Sequence, residues 1–304
     1  MATLELGAQI PGWHWDWSVA ELRDFAQGAE AIGFDWLGMT DHVLYAYATE
    51  TRPAARYAGG TIQHEPLSFL AWVAGVTQRV ALTTSVIVVP QRQAVLLAKQ
   101  AAEVDLLSGG RLRLGVGIGW QESEFDALEK GFGDRGQRME SDVALMRACW
   151  RQEPIDFDGT EFGAPELKFE QMSMLPKPVQ PGGPPILFGG VASRAIERAA
   201  RLGDGWIAMT AFESERAQGL VDRMSAALAE QGRSIDAFPL QATTTLTTEL
   251  DELRGIIRQY VDAGFSRLGL HLPSFTLEGR MSVDLYLRQL ETVWREVWPE
   301  FQAG

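Results

Sequence analysis

The chain has 304 residues, one cysteine, and 40 acidic against 27 basic side chains, which gives a formal net charge of −13. A single cysteine excludes an internal disulfide framework, and the acidic balance argues against nucleic acid and anionic membranes, since both attract clustered positive charge. The longest apolar runs, near 80–90 and 112–119, are shorter than the ~20 residues that a membrane span requires. The first residues carry Glu5 and no basic start, so we expect no signal peptide and a cytoplasmic protein.

Short β-rich runs alternate with amphipathic stretches along the whole chain. LELGAQI (4–10) predicts a first strand, and Ser18 and Glu21 form a capping box that predicts a helix ending near Gly33. The later β-rich runs predict strands at 34–40, 80–89, 111–119, 185–190, 205–209, 240–246 and 267–272. The later helical patterns cover 66–77, 93–107, 136–151, 193–202, 214–231, 249–263 and 283–298.

The order of these elements predicts the fold class. Eight strands in alternation with eight helices indicate parallel strands joined by helical crossovers, and eight such units favour a closed (β/α)8 TIM barrel over an open sheet. Two segments interrupt the rhythm: 44–65 after the second strand, and 152–183 before the fifth. The second contains Asp158-Gly159 and a proline-rich end, which predict a hairpin and an extended return. We expect a single α/β domain over 1–304.

The four histidines are His14, His42, His64 and His271. His14 and His42 follow predicted strands, His64 lies in the insertion behind the second strand, and His271 closes the last strand. In such barrels the chemistry lies where the strands end. Asp41-His42 directly follows an apolar strand, so it is our leading candidate, with the aspartate orienting the imidazole or its neighbours. Ordinary loop polarity is an alternative explanation for the other three. The chain has no His-x-His, His-x-x-Glu-His or cysteine cluster, so we expect no catalytic metal.

Three glycines alternate along the predicted strand 111–119, in the run Gly115-Val-Gly-Ile-Gly119. A dinucleotide-binding fingerprint needs Gly-x-Gly-x-x-Gly opening a helix after the first strand, so this run is not one. Alternating glycines leave one strand face without side chains, which would let a flat ligand approach the backbone. Close packing inside the barrel is the alternative explanation, and the sequence does not decide between them.

A second glycine motif ends the fifth predicted strand, in the run Gly189-Gly190-Val-Ala-Ser193-Arg194. A helix start offers free amides and the positive end of a dipole, which suit a phosphate. Ser193 would cap this helix and Arg194 would add a charge-assisted bond; an ordinary capped helix is the alternative. A phosphate held among few charged side chains predicts a cofactor with a flat, largely apolar body. Such a ring would lie against Thr84, Ser85, Val86 and 117–119.

Motifs on five predicted strands, in sequence order, resemble those of a known family. The matching stretches are FDWLGMTDHV (34–43), VALTTSVIVVP (80–90), AVLLAKQAAEVDLLSGGRLRLGVGIGW (94–120) with Glu124-Phe125, LPKPVQ (175–180), and PPILFGG (184–190) through RAARLGDGW (198–206). They resemble the bacterial luciferase-like flavin monooxygenase superfamily, and in particular its branch dependent on the 8-hydroxy-5-deazaflavin coenzyme F420. The resemblance runs from about residue 1 to 210.

The resemblance implies a (β/α)8 barrel with its cofactor across the strand ends. Asp41 and His42 would lie beside the ring, and a non-prolyl cis peptide between Ser85 and Val86 would lie under it. The other implied cofactor contacts are Ile118 and Gly119 beside the ring, and Gly189, Gly190, Val191, Ala192, Ser193 and Arg194 around the phosphate. Family members are often homodimers, and the apolar candidates for that interface are Leu70, Trp72, Leu96 and Leu97.

One position departs from a branch of this family. The sugar-phosphate dehydrogenases have a proton-donating glutamate where this chain has Trp120. An indole cannot transfer a proton at neutral pH, so we do not expect that activity. Trp120, with Trp13, Trp15 and Trp17 in the first loop, predicts an apolar or aromatic substrate; core packing is the alternative.

The sequence therefore predicts an F420-dependent oxidoreductase that transfers a hydride between the deazaflavin and a small, apolar or aromatic organic molecule. His42 is the predicted proton donor or polariser beside the ring, and the ring itself supplies the hydride chemistry. An FMN-dependent monooxygenase on the same barrel is one alternative. A non-catalytic barrel that binds a flavin or deazaflavin is the other.

Overall fold

The structure, a computed structural model, describes residues 4–10, 17–52, 60–208, 214–272 and 281–302. Its strands are β1 (Glu5–Gln9), β2 (Trp36–Met39), β3 (Ala81–Thr84), β4 (Ile87–Val88), β5 (Leu112–Gly117), β6 (Ile155–Asp158), β7 (Lys168–Met172), β8 (Ile186–Gly189), β9 (Gly205–Ala208), β10 (Leu240–Thr245) and β11 (Arg267–His271). Its helices are α1 (Val19–Ile32), α2 (Pro66–Val76), α3 (Ala94–Leu107), α4 (Glu122–Ala127), α5 (Arg135–Arg151), α6 (Ser193–Leu202), α7 (Ser214–Glu230), α8 (Leu250–Asp262), α9 (Val283–Glu296) and α10 (Pro299–Gln302). Among these residues, no helix combines the length and the apolar composition needed to cross a membrane.

Parallel strands form a closed barrel. Neighbouring strands follow the order β3, β2, β1, β11, β10, β9, β8 and β5. β5 then pairs with β3, where Leu112 lies opposite Leu82, and this pairing closes the ring. The short strand β4 continues β3 along the same edge and also pairs with β5. This topology confirms the predicted (β/α)8 barrel.

The insertion before β8 forms a two-stranded hairpin outside the barrel. β6 and β7 pair antiparallel, with Ile155 opposite Met172. At the turn, the Asp158 carboxylate accepts a hydrogen bond of 3.0 Å from the Thr160 amide, which orders the chain as it leaves β6. The hairpin predicted within 152–183 is confirmed. In the other insertion, the described residues 44–52 and 60–65 contain neither helix nor strand.

The first helix shows how local sequence sets an element. The Ser18 hydroxyl accepts a hydrogen bond from the Glu21 amide, and the Glu21 carboxylate accepts one from the Ser18 amide. Two orphan amides are thereby satisfied, as the capping box predicts. The helix ends at Gly33, whose φ of 124° is a backbone conformation that side-chain-bearing residues rarely adopt.

The side chain of Trp36 packs inside the barrel. Trp36 begins β2 and is fully buried, and its indole lies against the two glycines Gly7 and Gly269 on neighbouring strands. A Cβ atom at Gly7 would come within 2.0 Å of that ring, and one at Gly269 within 2.5 Å. Beyond the indole, Glu5 pairs with Arg113. The indole and this ion pair lie at the N-terminal ends of the strands, and in such barrels the site lies at the C-terminal ends.

The structure corrects some details of the predicted elements. The predicted strand 80–89 is two strands, β3 and β4, and the helix α4 after β5 was not predicted. Two of the four positions proposed for a dimer interface are wrong, because Leu70 and Leu97 are fully buried in the core. Leu96, by contrast, is 53% exposed.

Candidate active site

The C-terminal ends of the strands bring the candidate residues together. Asp41 and His42 follow β2, and Ser85 follows β3. At the end of β1, the Gln9 Nε2 donates a hydrogen bond of 3.2 Å to Ser85 Oγ, while the Ser85 amide donates to the Met39 carbonyl over 2.6 Å. These contacts join three strand ends into one surface, which we call the mouth.

Asp41 is buried and holds the chain after the third strand. Its Oδ2 accepts a hydrogen bond from the Val88 amide, and its Oδ1 accepts one from Arg92 Nη2, each over 2.8 Å. Burial raises the pKa of the Asp41 carboxyl, although the Arg92 cation and the Val88 amide oppose that shift. The Asp41 carboxylate thus fixes the chain around Val88 and Arg92, and its role in orienting the imidazole or its neighbours stays a prediction.

His42 is held by a carboxylate that the sequence reasoning did not assign to the site. Its Nδ1 lies 3.1 Å from Glu124 Oε2, while Glu124 Oε1 accepts hydrogen bonds from the amides of Val43 (2.5 Å) and Leu44 (3.1 Å). The Glu124 side chain is 1% exposed. Burial favours a raised pKa, but the contacts with His42 and the Leu44 amide outweigh it and hold the pKa of Glu124 below its usual value.

Aromatic rings surround the imidazole of His42. The Tyr45 ring centroid lies 4.9 Å away, and Trp120 meets the imidazole edge-on at 5.5 Å and 74°. Trp120 is 47% exposed, so it is not a core side chain. Trp13 and Trp15 lie outside the described residues. Trp17 is 5% exposed and its Nε1 donates a hydrogen bond of 2.9 Å to the Met281 carbonyl, so core packing is the correct explanation for this tryptophan.

The peptide bond between Ser85 and Val86 is cis, as the family resemblance implied. The Val86 side chain lies between two glycines: a Cβ atom at Gly117 would come within 2.5 Å of it, and one at Gly189 within 2.9 Å. These glycines, at the ends of β5 and β8, therefore leave room for the Val86 side chain. The floor of the mouth at this point is the cis peptide and its valine.

The glycine run in β5 makes room for a neighbouring strand. A Cβ atom at Gly115 would lie 1.9 Å from the Thr84 carbonyl oxygen, and the Thr84 hydroxyl donates a hydrogen bond of 2.6 Å to the Gly115 carbonyl. Of the two explanations of this run, close packing is correct at Gly115 and Gly117. Beyond β5, Ile118 is partly buried, and Gly119 has a φ of 75°, so the chain turns there.

The start of α6 lies beside the Gly189-Gly190 pair. The N-cap is Ala192, which has no capping side chain, so the expectation that Ser193 caps the helix is wrong. Ser193 is the first helical residue, and its Oγ accepts a hydrogen bond of 2.9 Å from Arg223 Nη2. Among the residues that the structure describes, no side chain caps the first amides of α6. Arg223 joins the exposed Arg194 as a second cation.

The mouth contains a polar atom suited to a ligand. Gln9 Oε1 is buried and, among the described residues, has no hydrogen-bond partner. Such an orphan acceptor is destabilising unless a donor reaches it. Gln9 Oε1 and the uncapped amides of α6 are two separate polar groups that a ligand could contact, and the floor formed by Val86 is apolar. The mouth therefore fits a cofactor with a flat ring, a hydrogen-bond donor and an anionic tail.

His64 and His271 have contacts of their own. His64 stacks on Phe69 with centroids 5.0 Å apart, and His271 Nδ1 lies 3.0 Å from the Leu272 carbonyl oxygen. Burial lowers the pKa of both imidazoles. His14 lies outside the described residues. Within the described part of the chain, no three His, Cys, Asp or Glu side chains lie together as metal ligands would.

A cavity of about 860 Å³ lies outside the barrel, between α3, α5 and the hairpin. Asp142 lines it, and the Oδ2 of this carboxyl is buried without a hydrogen-bond partner among the described residues. Burial raises the pKa of Asp142 to about 7, against the opposing charges of Arg138 and Lys130. No sequence motif pointed to this cavity.

The closed barrel and its polar mouth are the architecture of an α/β-barrel enzyme. Residues 6–289 match the sequence profile of the luciferase-like monooxygenases, and the chain belongs to that family. It is 28% identical over 250 residues to an FMNH(2)-dependent dimethylsulfone monooxygenase of Pseudomonas fluorescens, a match that covers 81% of this chain and 63% of the relative. It is 30% identical over 188 residues to an uncharacterized protein of Mycobacterium tuberculosis, covering 60% and 62% of the two chains. The chain thus spans less than two thirds of these relatives.

Solved structures of a monooxygenase and of a coenzyme F420-dependent reductase share the fold. A monooxygenase from Streptomyces bottropensis superposes with a TM-score of 0.77 at 20% identity, covering 98% of this chain and 100% of that one. The coenzyme F420-dependent tetrahydromethanopterin reductase of Methanopyrus kandleri superposes with a TM-score of 0.74 at 14% identity, covering 99% and 100%. At such identities the likeness extends to the fold and does not separate the two cofactors.

Proposed function

We propose that this protein is an F420-dependent oxidoreductase that exchanges a hydride between the deazaflavin and a small, apolar or aromatic organic substrate. The observation that carries the proposal is the imidazole of His42, held at the mouth by the buried carboxylate of Glu124 at 3.1 Å. Hydride exchange at a carbon bound to oxygen or nitrogen also moves one proton. A positioned imidazole is the side chain suited to that proton near neutral pH.

The chain's own residues would hold the cofactor at its two ends. The first amides of α6, with Arg194 and Arg223, would bind the phosphate, since a helix start and cations both attract an anion. Gln9 Oε1 would accept a hydrogen bond from the ring, and Val86 would support its face. When bound, the deazaflavin ring supplies the hydride chemistry.

His42 and Trp120 would act on the substrate. His42 would take a proton from the reacting substrate atom or return one to it. The half-exposed indole of Trp120 would cover an apolar substrate and exclude water, which strengthens electrostatic interactions at the mouth. Holding both reactants in one orientation is the remaining contribution of the chain.

Two measurements test the proposal. The first titrates the purified protein with F420 and with FMN; we expect saturable F420 binding, and FMN binding without F420 binding would overturn the cofactor assignment. The second compares His42→Asn with the matched control His64→Asn. We expect His42→Asn to reduce turnover by about 10²-fold or more with F420 affinity retained, and His64→Asn to retain activity. Unchanged turnover of His42→Asn from pH 5 to 9 would remove His42 from the mechanism.

An FMN-dependent monooxygenase is the second candidate. The match to the FMNH(2)-dependent relative, which covers 81% of this chain, is the observation that favours it. Oxygen consumption by the protein with reduced FMN and a candidate substrate would support this function. A bound reduced cofactor that no electron acceptor reoxidises would instead favour the third alternative, a non-catalytic barrel.

A further inference from the structure

The contact between α4 and the chain after β2 involves more than one hydrogen bond. Glu124 uses both carboxylate oxygens: Oε2 meets His42 Nδ1, and Oε1 accepts from the amides of Val43 and Leu44. Three residues earlier, Gln121 Nε2 donates a hydrogen bond of 2.8 Å to the Leu44 carbonyl. The segment 42–44 is thus bound at its side chain, its amides and a carbonyl by residues from one short stretch.

The chemistry of these groups determines where the histidine proton lies. An ionised carboxylate can only accept hydrogen bonds, and its contacts with His42 and the amide of Leu44 keep the pKa of Glu124 below its usual value. Nδ1 of His42 must therefore be the donor in the 3.1 Å contact. In a neutral imidazole one nitrogen carries the proton and the other the lone pair, so the lone pair is on Nε2.

We propose that Glu124 is a positioning residue that keeps the proton of neutral His42 on Nδ1, so that Nε2 accepts the proton that the substrate loses when it gives up a hydride. In the reverse direction, protonated Nε2 donates that proton to the substrate as the substrate takes up the hydride. Whatever group meets Nε2 of the neutral imidazole meets an acceptor. The proton-transfer half of this inference rests on the proposed function; the tautomer half does not, because it concerns the protein without cofactor or substrate.

The substitution Glu124→Gln separates this role from a merely structural one. Its carbonyl oxygen can still accept from the amides of Val43 and Leu44, so the loop stays in place. Its NH₂ group then faces His42 Nδ1, and a donor there requires an acceptor opposite it. The proton of His42 must therefore move to Nε2. The opposite orientation of the introduced amide is unfavourable, because its NH₂ group would then face the backbone N–H groups of Val43 and Leu44.

The decisive measurement is nitrogen NMR of histidine-labelled protein without cofactor, with the His42 signals identified by their loss in His42→Asn. We expect a protonated Nδ1 in the unmodified protein and in the control Glu122→Gln, whose side chain is exposed on the same helix. In Glu124→Gln we expect a protonated Nε2. A proton on Nε2 in the unmodified protein, or the same tautomer in Glu124→Gln, would overturn the inference.

Turnover supplies a second readout. We expect Glu124→Gln to lower kcat by about 10²-fold or more with cofactor affinity unchanged. Glu122→Gln should retain both. If F420 fails to bind at all, the proposed function fails while the tautomer result still stands. If F420 binds and turns over equally well in Glu124→Gln, the positioning role fails alone.

Discussion

The two halves of the mouth differ in the groups that form them and in the burial of those groups. On the β2 and β5 side, Asp41, Glu124 and His42 are buried or nearly so and bound to partners on other elements. On the β8 side, the site consists of backbone amides at the start of α6 and of the exposed cations Arg194 and Arg223. We therefore expect substitutions in the first half to affect both folding and the proposed function, and substitutions in the second half to affect cofactor binding alone.

Removing a buried partner in the first half should have the largest effect. In Arg92→Met the carboxylate of Asp41 loses its cation, and we expect a loss of about 3–5 kcal/mol in the free energy of unfolding at pH 8. The loss should shrink at pH 5, because Asp41, whose pKa burial already raises, can then be neutral. Urea denaturation at both pH values measures this.

Two further variants serve as controls for Arg92→Met: one breaks an exposed ion pair, and the other also removes the buried carboxylate. Arg23→Met, which breaks the exposed pair with Asp24, should cost less than about 1 kcal/mol. The double variant Arg92→Met with Asp41→Asn should recover part of the loss, since no charge is left buried. Equal losses for Arg92→Met and Arg23→Met would remove the distinction between the two halves.

The close contact between β5 and β3 beneath the mouth should be nearly as sensitive to substitution. Gly115→Ala would set a Cβ atom 1.9 Å from the Thr84 carbonyl oxygen, and such overpacking against backbone costs about 3 kcal/mol. Gly255→Ala is the control, because its exposed helical site in α8 has no atom within 4 Å; it should stabilise by up to about 1 kcal/mol. Thermal denaturation compares them, and a Gly115→Ala protein as stable as the parent would contradict the packing.

Asp142 indicates how a buried carboxyl behaves without the partners that Asp41 has. Its folded pKa of about 7 lies above the usual 3.8, so the folded state holds the proton more tightly than the unfolded state. Its contribution is fully present below about pH 4 and is lost as the pH rises to about 7, by up to ~1.4 kcal/mol per pH unit.

Asp142→Asn should remove this dependence. We expect the variant to exceed the parent in stability at pH 8 by about 1–3 kcal/mol and to match it more closely at pH 4. The exposed Asp262→Asn is the control and should change neither value. Parallel stability curves for Asp142→Asn and the parent would show that the carboxyl is not held neutral.

The smallest effect on stability should come from the second half. The double variant Arg194→Gln with Arg223→Gln should unfold within about 0.5 kcal/mol of the parent, yet bind F420 about tenfold or more weakly, as charge-assisted hydrogen bonds are lost. The difference should decrease at high salt. Arg288→Gln, exposed on α9, should leave affinity unchanged. Unaltered F420 binding by the double variant would show that the cofactor phosphate does not bind at the start of α6.

Several site residues could not be found from sequence patterns. Gln9 carried a usable signal, as a polar residue ending an apolar strand. Glu124 lay within a matched motif, but nothing in its spacing linked it to His42. Arg223 lay in an ordinary helical stretch. Ser85 and Val86 were predicted as ring contacts from the residues themselves, whereas Trp120 and the cis form of the Ser85–Val86 peptide were identified only through a family resemblance.

By itself, the sequence determined the order of strands and helices, the capping box of α1, the hairpin insertion and the placement of Asp41-His42 at a strand end. Periodicity and capping depend on near neighbours in the chain, so they are readable without the fold. Only the tertiary structure decided that Glu124, 82 residues away, holds His42, that Arg223 reaches Ser193, and that Gly117 makes room for Val86. Those pairings depend on distances between side chains of different elements, which the closure of the barrel sets.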